Sequence, residues 1–230
     1  MKTILAFLLL TLTQRHALAA IGCTLSNPSA DLKYLYPEMT SFKEDLFEFP
    51  RLPGGAEQFK GLKARLGGDL DRIYETYETP YTVYSVFKGA TKIGIIHGVN
   101  VPGKGGVIQV FLSTDQATAA IKNFFFQRLE STAARQLRSK EFLSQFNGLT
   151  LGDFYKHDYY AAADAGARAD KVGALKAPGI DAGGKQDYEA SLRGIRKNLI
   201  LLDYFVYGKR FEPFFARAQQ AAGKAKGKKE

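Results

Sequence analysis

Four short apolar segments between residues 81 and 129 constrain the fold more than any other feature of this sequence. They are Tyr81–Phe87, Lys92–Val99, Val107–Leu112 and Ile121–Leu129. The first three are rich in β-branched and aromatic residues, which favour strands. The connections between them are short and contain glycine or polar residues, and connections of this length join antiparallel neighbours. The sequence therefore predicts an antiparallel meander.

The fourth segment, with the sequence IKNFFFQRL, is compatible with two structures. Ile121, Phe124, Phe125 and Leu129 fit one face of a helix. Three consecutive phenylalanines fit a buried strand equally well, and periodicity does not separate the two at this length. On the residues alone both readings stay open.

The clearest helical pattern runs from Asp187 to Tyr207. Its apolar residues recur at intervals of four and three, which is the spacing of one helix face packed on a core. They are Tyr188, Leu192, Ile195, Leu199, Leu202 and Val206. The pattern predicts Asp187 as the N-cap and places Arg193, Arg196 and Lys197 on the outer side. A helix is also predicted over Ser131–Phe146.

These elements together predict an α+β fold, in which helices cover one face of an antiparallel sheet of about four strands or more. Shorter helical patterns precede the strands at Asp31–Tyr36, Glu57–Leu66 and Leu70–Tyr77, whereas Phe42–Pro53 shows no period and is interpreted as irregular. We assign residues 29–207 to this single folded unit.

The first 19 residues are typical of a secretory signal peptide. Lys2 precedes an apolar run, and Ala17-Leu18-Ala19 forms an A-x-A cleavage site. Residues 20–28 would then be a flexible N-terminal segment. A second interpretation is a lipoprotein signal with Cys23 as the lipidated residue. Either reading predicts an exported protein, periplasmic or lipid-anchored at the cell envelope.

The charge of the chain is concentrated near its end. The formal net charge is +9, and removal of the signal peptide would lower it to +7 because Lys2 and Arg15 are lost without any acidic residue. Residues 208–230 are interpreted as a basic, disordered tail, since they end in a segment rich in glycine, alanine and lysine. Charge on a tail is weak support for nucleic-acid binding. Adhesion of the tail to an anionic membrane surface is the alternative to simple solvation.

The strongest candidate for chemistry is the entry to the last helix. Unsatisfied amides and the helix dipole favour an anion there, Gly183-Gly184 permits close approach, and Lys185 adds positive charge. Glu130, Ser131 and Thr132 can bind a polar ring edge or cap the following helix. The glycine cluster at Gly103–Gly106 is followed by a strand, which favours a simple turn. The sequence contains neither G-x-S-x-G nor H-E-x-x-H, so a hydrolytic triad or metal site has no support.

The order of these features resembles the FMN-binding domain of the flavin subunits of sodium-translocating NADH:quinone reductase and of the Rnf electron-transport complex. The resemblance covers roughly Tyr81 to Tyr207. Its elements are YSVFKGATKIGIIHG, GKGGVIQVFLS, the pair Glu130-Ser131, the stretch Phe142…Gln145-Phe146-x-Gly148, and a last helix entered from a small-residue loop. The family shows an E-T/S pair, an F-x-x-Q-F-x-G stretch and an S-G-A-T segment in this order. The resemblance implies that Ile121–Leu129 is a strand.

The sequence departs from the family at the S-G-A-T segment, whose threonine is esterified to the FMN phosphate. Ala182–Ser191 reads AGGKQDYEAS and contains no threonine. The resemblance therefore implies noncovalent FMN, with Glu130, Ser131 and Thr132 at the ring end. The residues implied for the phosphate end are Gly183, Gly184, Lys185, Gln186 and Tyr188.

The implied function is an exported flavoprotein that passes electrons to a redox or envelope protein partner and contributes no catalytic side chain of its own. The alternative is an accessory module that keeps this fold without the cofactor, within a membrane or periplasmic complex.

Overall fold

The computed structural model describes residues 23–70, 75–157 and 170–226. Five strands form one antiparallel sheet in chain order. They are β1 (Ser41–Phe47), β2 (Tyr81–Lys88), β3 (Thr91–Pro102), β4 (Val107–Thr114) and β5 (Ile121–Arg128). The predicted meander and the α+β class are confirmed, and the ambiguous phenylalanine-rich segment is a strand. The predicted signal peptide, and most of the short helical pattern from Leu70 onward, lie outside the described residues.

The strand β1 was not predicted, because its apolar alternation is interrupted. Lys43, Glu44 and Asp45 lie next to one another, and Leu46 is 56% exposed. β1 is an edge strand paired only with β2 within the described sheet. Charged residues on an edge strand oppose pairing with other chains, so the lost alternation follows from the position of the strand.

Seven helices accompany the sheet in the described residues. They are α1 (Pro28–Leu35), α2 (Gly55–Leu66), α3 (Ala134–Leu137), α4 (Lys140–Ser144), α5 (Leu151–Lys156), α6 (Ala182–Phe205) and α7 (Glu212–Lys226). The helix predicted over Ser131–Phe146 is in fact two short helices. Ser139 separates them, since its hydroxyl accepts the amide of Phe142 and caps α4.

Both faces of the sheet are covered, whereas the sequence predicted helices on one face only. Ile95 and Val110 point to the face on which α6 lies, and Ile96 and Phe111 point to the opposite face. That second face is covered by α1 and by the chain that precedes it. Cys23 is only 6% exposed there, so the described portion of the segment predicted to be flexible belongs to the core.

The last core helix, α6, begins five residues earlier than predicted. Its N-cap is Asp181 rather than Asp187, and the glycine pair lies inside its first turn. The apolar stripe is confirmed, with Leu199 only 3% exposed. The outward position predicted for Lys197 is wrong. This side chain is only 1% exposed. Its ammonium donates to Glu75 Oε2 at 2.6 Å, and this carboxylate from a distant loop compensates the burial of the positive charge.

The described portion of the predicted disordered tail is ordered, because α7 packs against α5. The ring of Phe215 lies 5.7 Å from that of Tyr155, and Glu212 lies 3.4 Å from the buried Arg65 guanidinium. These anchors precede the lysine-rich residues on which the disorder prediction rested. Among the described residues, no helix has both the length and the apolar character of a membrane span.

Candidate functional site

Three segments that are distant in sequence meet at one end of the sheet. They are the β3–β4 turn at residues 103–106, the residues after β5, and the first turns of α6. The amide of Lys104 donates to Asp187 Oδ1 at 2.7 Å, and the Thr132 hydroxyl donates to Asp181 Oδ1 at 3.1 Å. The residues predicted for the ring end and for the phosphate end are thus neighbours.

Close backbone approach explains the glycines at this junction. A Cβ at Gly105 would lie 2.1 Å from the backbone oxygen of Glu130, and a Cβ at Gly184 would lie 2.7 Å from Ala133 Cβ. Side chains do not tolerate such distances, so these positions require glycine. The space beside both glycines is filled by the chain itself.

The anion position at the start of α6 is held by Asp181, a carboxylate of the protein. Its Oδ1 accepts the Gly184 amide at 2.6 Å. The pKa of Asp181 is lowered by that amide first, then by the Thr132 hydroxyl, and further by the nearby Lys104 ammonium. A dianionic phosphate at the same amides would therefore meet a negative charge.

Asp187 has a similar role in the second turn of α6. Its side chain is 2% exposed, and it accepts the amide of Lys104 from the glycine turn. The sequence predicted Asp187 as a helix cap, but it joins α6 to the β3–β4 turn. Two amides suited to an anion are thus both bound to carboxylates of the chain.

The other predicted residues are distributed around this junction. The Glu130 carboxylate accepts Arg128 Nη2 at 2.7 Å, and the Ser131 hydroxyl accepts the Ala133 amide at 3.1 Å. Gly183 is buried beside Lys104, whereas Lys185 and Gln186 are exposed. Hence Ser131 serves its own turn, Thr132 joins that turn to the start of α6, and the side chains of Lys185 and Gln186 face solvent.

An open depression of about 530 Å³ lies on the α4 side of α6. It is lined by Ser139, Glu141, Phe142, Gln145, Lys176, Ala177 and Pro178. Phe142 and Gln145 belong to the F-x-x-Q-F-x-G stretch. The Phe142 ring also meets the half-buried Tyr188 ring edge-on at 5.8 Å, which connects the depression to the second turn of α6.

Gln145 holds the far wall of this depression in place. Its Oε1 accepts the Lys176 amide at 2.8 Å, and its Nε2 donates to the Lys176 carbonyl at 3.3 Å. The side chain thus pairs with the backbone of Lys176 in the way a neighbouring strand would. Sequence reasoning missed Ser139, Glu141 and Lys176 because no motif or period marks them.

The depression has the dimensions and the mixed lining of a small-molecule site. Phe142, Ala177 and Pro178 supply apolar surface, Ser139 supplies a hydroxyl, and Glu141 and Lys176 supply opposite charges. Within the described residues, no group of three or more His, Cys, Asp or Glu side chains is placed to hold a metal ion. The depression is therefore mainly apolar with a few polar groups at its wall.

Comparison with known proteins gives likeness in structure but not in sequence. No family model and no curated protein matches the sequence. Among solved structures, the chain is similar to the crystal structure of NqrC from Shewanella oneidensis, with 15% identity and a TM-score of 0.44 over 90% of this chain and 96% of that chain. A likeness at this level supports no functional inference by itself.

Proposed function

We propose that this protein binds FMN noncovalently and serves as an electron-transfer module of the cell envelope. The observation that carries this proposal is the depression lined by Phe142 and Gln145 beside Tyr188. Bound FMN would supply reversible redox chemistry at its isoalloxazine ring. The chain would supply binding, orientation and the electrostatic environment.

The lining fits the ring end of a flavin. Ala177 and Pro178 offer apolar surface to a planar ring, and the buried Phe142 also lines the depression. The Ser139 hydroxyl has a proton to donate toward a ring carbonyl, because its oxygen already accepts the Phe142 amide. Gln145 acts as a positioning residue, since both polar atoms of its amide bond the backbone of Lys176.

The residues predicted for the phosphate end fit FMN less well, so we expect the phosphate to contribute little to binding. The absence of threonine from Ala182–Ser191 leaves no hydroxyl for the ester linkage, and Asp181 holds the helix amides. Lys176 and the exposed Lys104 and Lys185 are the cations left for the phosphate. Solvent-exposed lysines contribute little to affinity. FMN and riboflavin should therefore bind with affinities that differ by no more than about threefold.

Titration of the purified protein with FMN and with riboflavin, followed by flavin fluorescence, tests the proposal. We expect saturable binding of both flavins. Gln145→Ala should weaken both equally by releasing the wall of the depression, and Lys176→Glu should weaken FMN more than riboflavin. Lys88→Glu, an exposed lysine at the end of β2, is the matched control and should leave both unchanged. Absence of saturable binding to the unmodified protein would reject the proposal.

A second candidate is a cofactor-free accessory module that contacts a redox or envelope partner. The observation that favours it is that two carboxylates of the chain already bind amides suited to an anion. Asp181 accepts the Gly184 amide at the start of α6, and Asp187 accepts the amide of Lys104. This candidate predicts that the protein binds neither flavin, so the same titration separates the two.

We further propose export with cleavage after Ala19 and without lipidation. The Cys23 thiol donates to Asn100 Oδ1 at 3.2 Å, and burial raises its pKa to about 12. A diacylglyceryl group on this sulfur would have to leave the core, together with the neighbouring Leu25. The intact mass of the protein recovered from the cell envelope should correspond to a chain beginning at Ala20. A mass that includes lipid on Cys23 would contradict this.

A further inference from the structure

Positive charge is strongly segregated along the chain. Residues 20–207 contain 23 basic and 21 acidic side chains, whereas residues 208–230 contain seven basic and two acidic side chains. Five of the seven excess positive charges beyond the predicted signal peptide therefore belong to the last tenth of the sequence, which includes α7.

The described basic residues near α7 are arranged around aromatic rings. Arg217 and Lys156 both lie over the ring of Phe214, at 4.7 and 5.7 Å from its centre. In the preceding turn, Lys209 lies 4.4 Å from the ring centre of Tyr204, and Arg210 is exposed. We call Lys156, Lys209, Arg210, Phe214 and Arg217 the basic–aromatic end.

The acidic groups around this end are only partly neutralised, since one Arg65 guanidinium serves two carboxylates, but they are fewer than its cations. Glu212, on α7, lies 3.4 Å from the Arg65 guanidinium, and Asp203, on α6, is buried against the same Arg65 at 2.6 Å. Asp153, on α5, lies 3.6 Å from Lys171. The cations of the basic–aromatic end therefore keep their positive charge toward solvent.

We propose that the basic–aromatic end docks on an anionic phospholipid surface. Clustered lysine and arginine residues are attracted to anionic headgroups, and a half-buried phenylalanine such as Phe214 suits the headgroup boundary. The charged groups of Arg217 and Lys156 lie over the Phe214 ring, so positive charge and aromatic surface share one patch. Charge alone would suit any polyanion, but the aromatic ring beneath the charges favours a lipid interface.

Vesicle co-sedimentation of the full mature chain tests this surface. We expect binding to phosphatidylcholine vesicles that contain phosphatidylglycerol, none to pure phosphatidylcholine, and release by high salt. Each basic residue near an anionic surface is worth about fivefold in partitioning, so the double variant Lys156→Ala/Arg217→Ala should bind about 25-fold more weakly. A matched double variant, Lys33→Ala/Lys88→Ala, removes two exposed lysines from α1 and β2 and should bind like the unmodified chain.

Circular dichroism of both double variants shows whether the fold is retained, and the substituted side chains are exposed. Equal binding to both vesicle compositions, or no binding to either, would overturn the proposal. So would unchanged binding by a folded Lys156→Ala/Arg217→Ala variant, or tighter binding of the chain to a short DNA duplex than to anionic vesicles.

Discussion

The two ends of α6 use the same chemical group in opposite surroundings. At the C-terminal end, the Asp203 carboxylate is 0% exposed and accepts Arg65 Nη2 at 2.6 Å. At the N-terminal end, the Asp181 carboxylate is exposed and accepts the Gly184 amide, also at 2.6 Å. Equal hydrogen-bond lengths do not mean equal energies, because water competes at one end and is excluded at the other. The buried end should govern stability, and the exposed end is where a ligand can act.

The sharpest way to break this comparison is to remove the buried carboxylate. Asp203→Ala leaves the Arg65 guanidinium without its closest anion, and loss of one partner of a buried pair costs about 3–5 kcal/mol. Urea unfolding should show this as a lower free energy of unfolding. Asp181→Ala, at the exposed end, should have a clearly smaller effect.

Replacement of both buried partners is the control for this prediction. Arg65→Met/Asp203→Leu removes the two charges together and should recover most of the lost stability, since apolar residues of similar volume can replace a buried ion pair. If Asp203→Ala and Asp181→Ala proved equally destabilising, burial would not be what distinguishes the two ends.

A buried histidine extends the comparison to the pH dependence of stability. His97 is 1% exposed beneath the middle of α6, where its Nδ1 hydrogen-bonds Asn198 Oδ1 at 3.0 Å. The pKa of His97 is lowered from 6.5 to about 4, chiefly by burial; the hydrogen bond to Asn198 acts to raise it and the Lys197 charge acts to lower it. Below pH 6.5 the unfolded chain takes up a proton that the folded protein does not accept until near pH 4. Stability should therefore fall as the pH falls through this window.

Unfolding by urea at neutral pH and near pH 5 measures the effect. The expected loss attributable to His97 is roughly 2 kcal/mol. His97→Gln should remove this contribution to the pH dependence, even if the variant is less stable at neutral pH. His157→Gln, outside the α6 core, should retain it. An unchanged pH slope in His97→Gln would show that another group is responsible.

The sequence could predict the elements that repeat a local pattern, but not the contacts between residues distant in the chain. The meander and the α6 stripe are repeated local patterns, so periodicity identified them together with buried Leu199. Asp181 and Lys197 depend on partners that no sequence period marks. Thr132 bonds Asp181, and Glu75 bonds Lys197. The depression depends on Gln145 reaching the backbone of Lys176, 31 residues away, which only the folded chain defines.

A substitution at the exposed end of α6 has the smallest expected effect, and this effect is specific to the affinity for FMN. Asp181→Asn keeps a side chain that caps helices as well as aspartate does, but it removes the negative charge beside the Gly184 amide. If the FMN phosphate approaches this end, its affinity should rise by up to about threefold, because charge contacts exposed to water are weak. Riboflavin, which has no phosphate, should bind as before.

Asp115→Asn is the matched control for this substitution. Asp115 is half-buried, and its carboxylate accepts the Thr118 amide at 2.9 Å and the Thr118 hydroxyl at 2.8 Å, in the turn between β4 and β5. Removing its charge should leave the affinities for both flavins unchanged. A rise in FMN affinity shared by both variants would reflect net charge alone. If Asp181→Asn does not raise the FMN affinity while Lys176→Glu still lowers it, the phosphate lies beside Lys176. The α6 amides then have a structural role only.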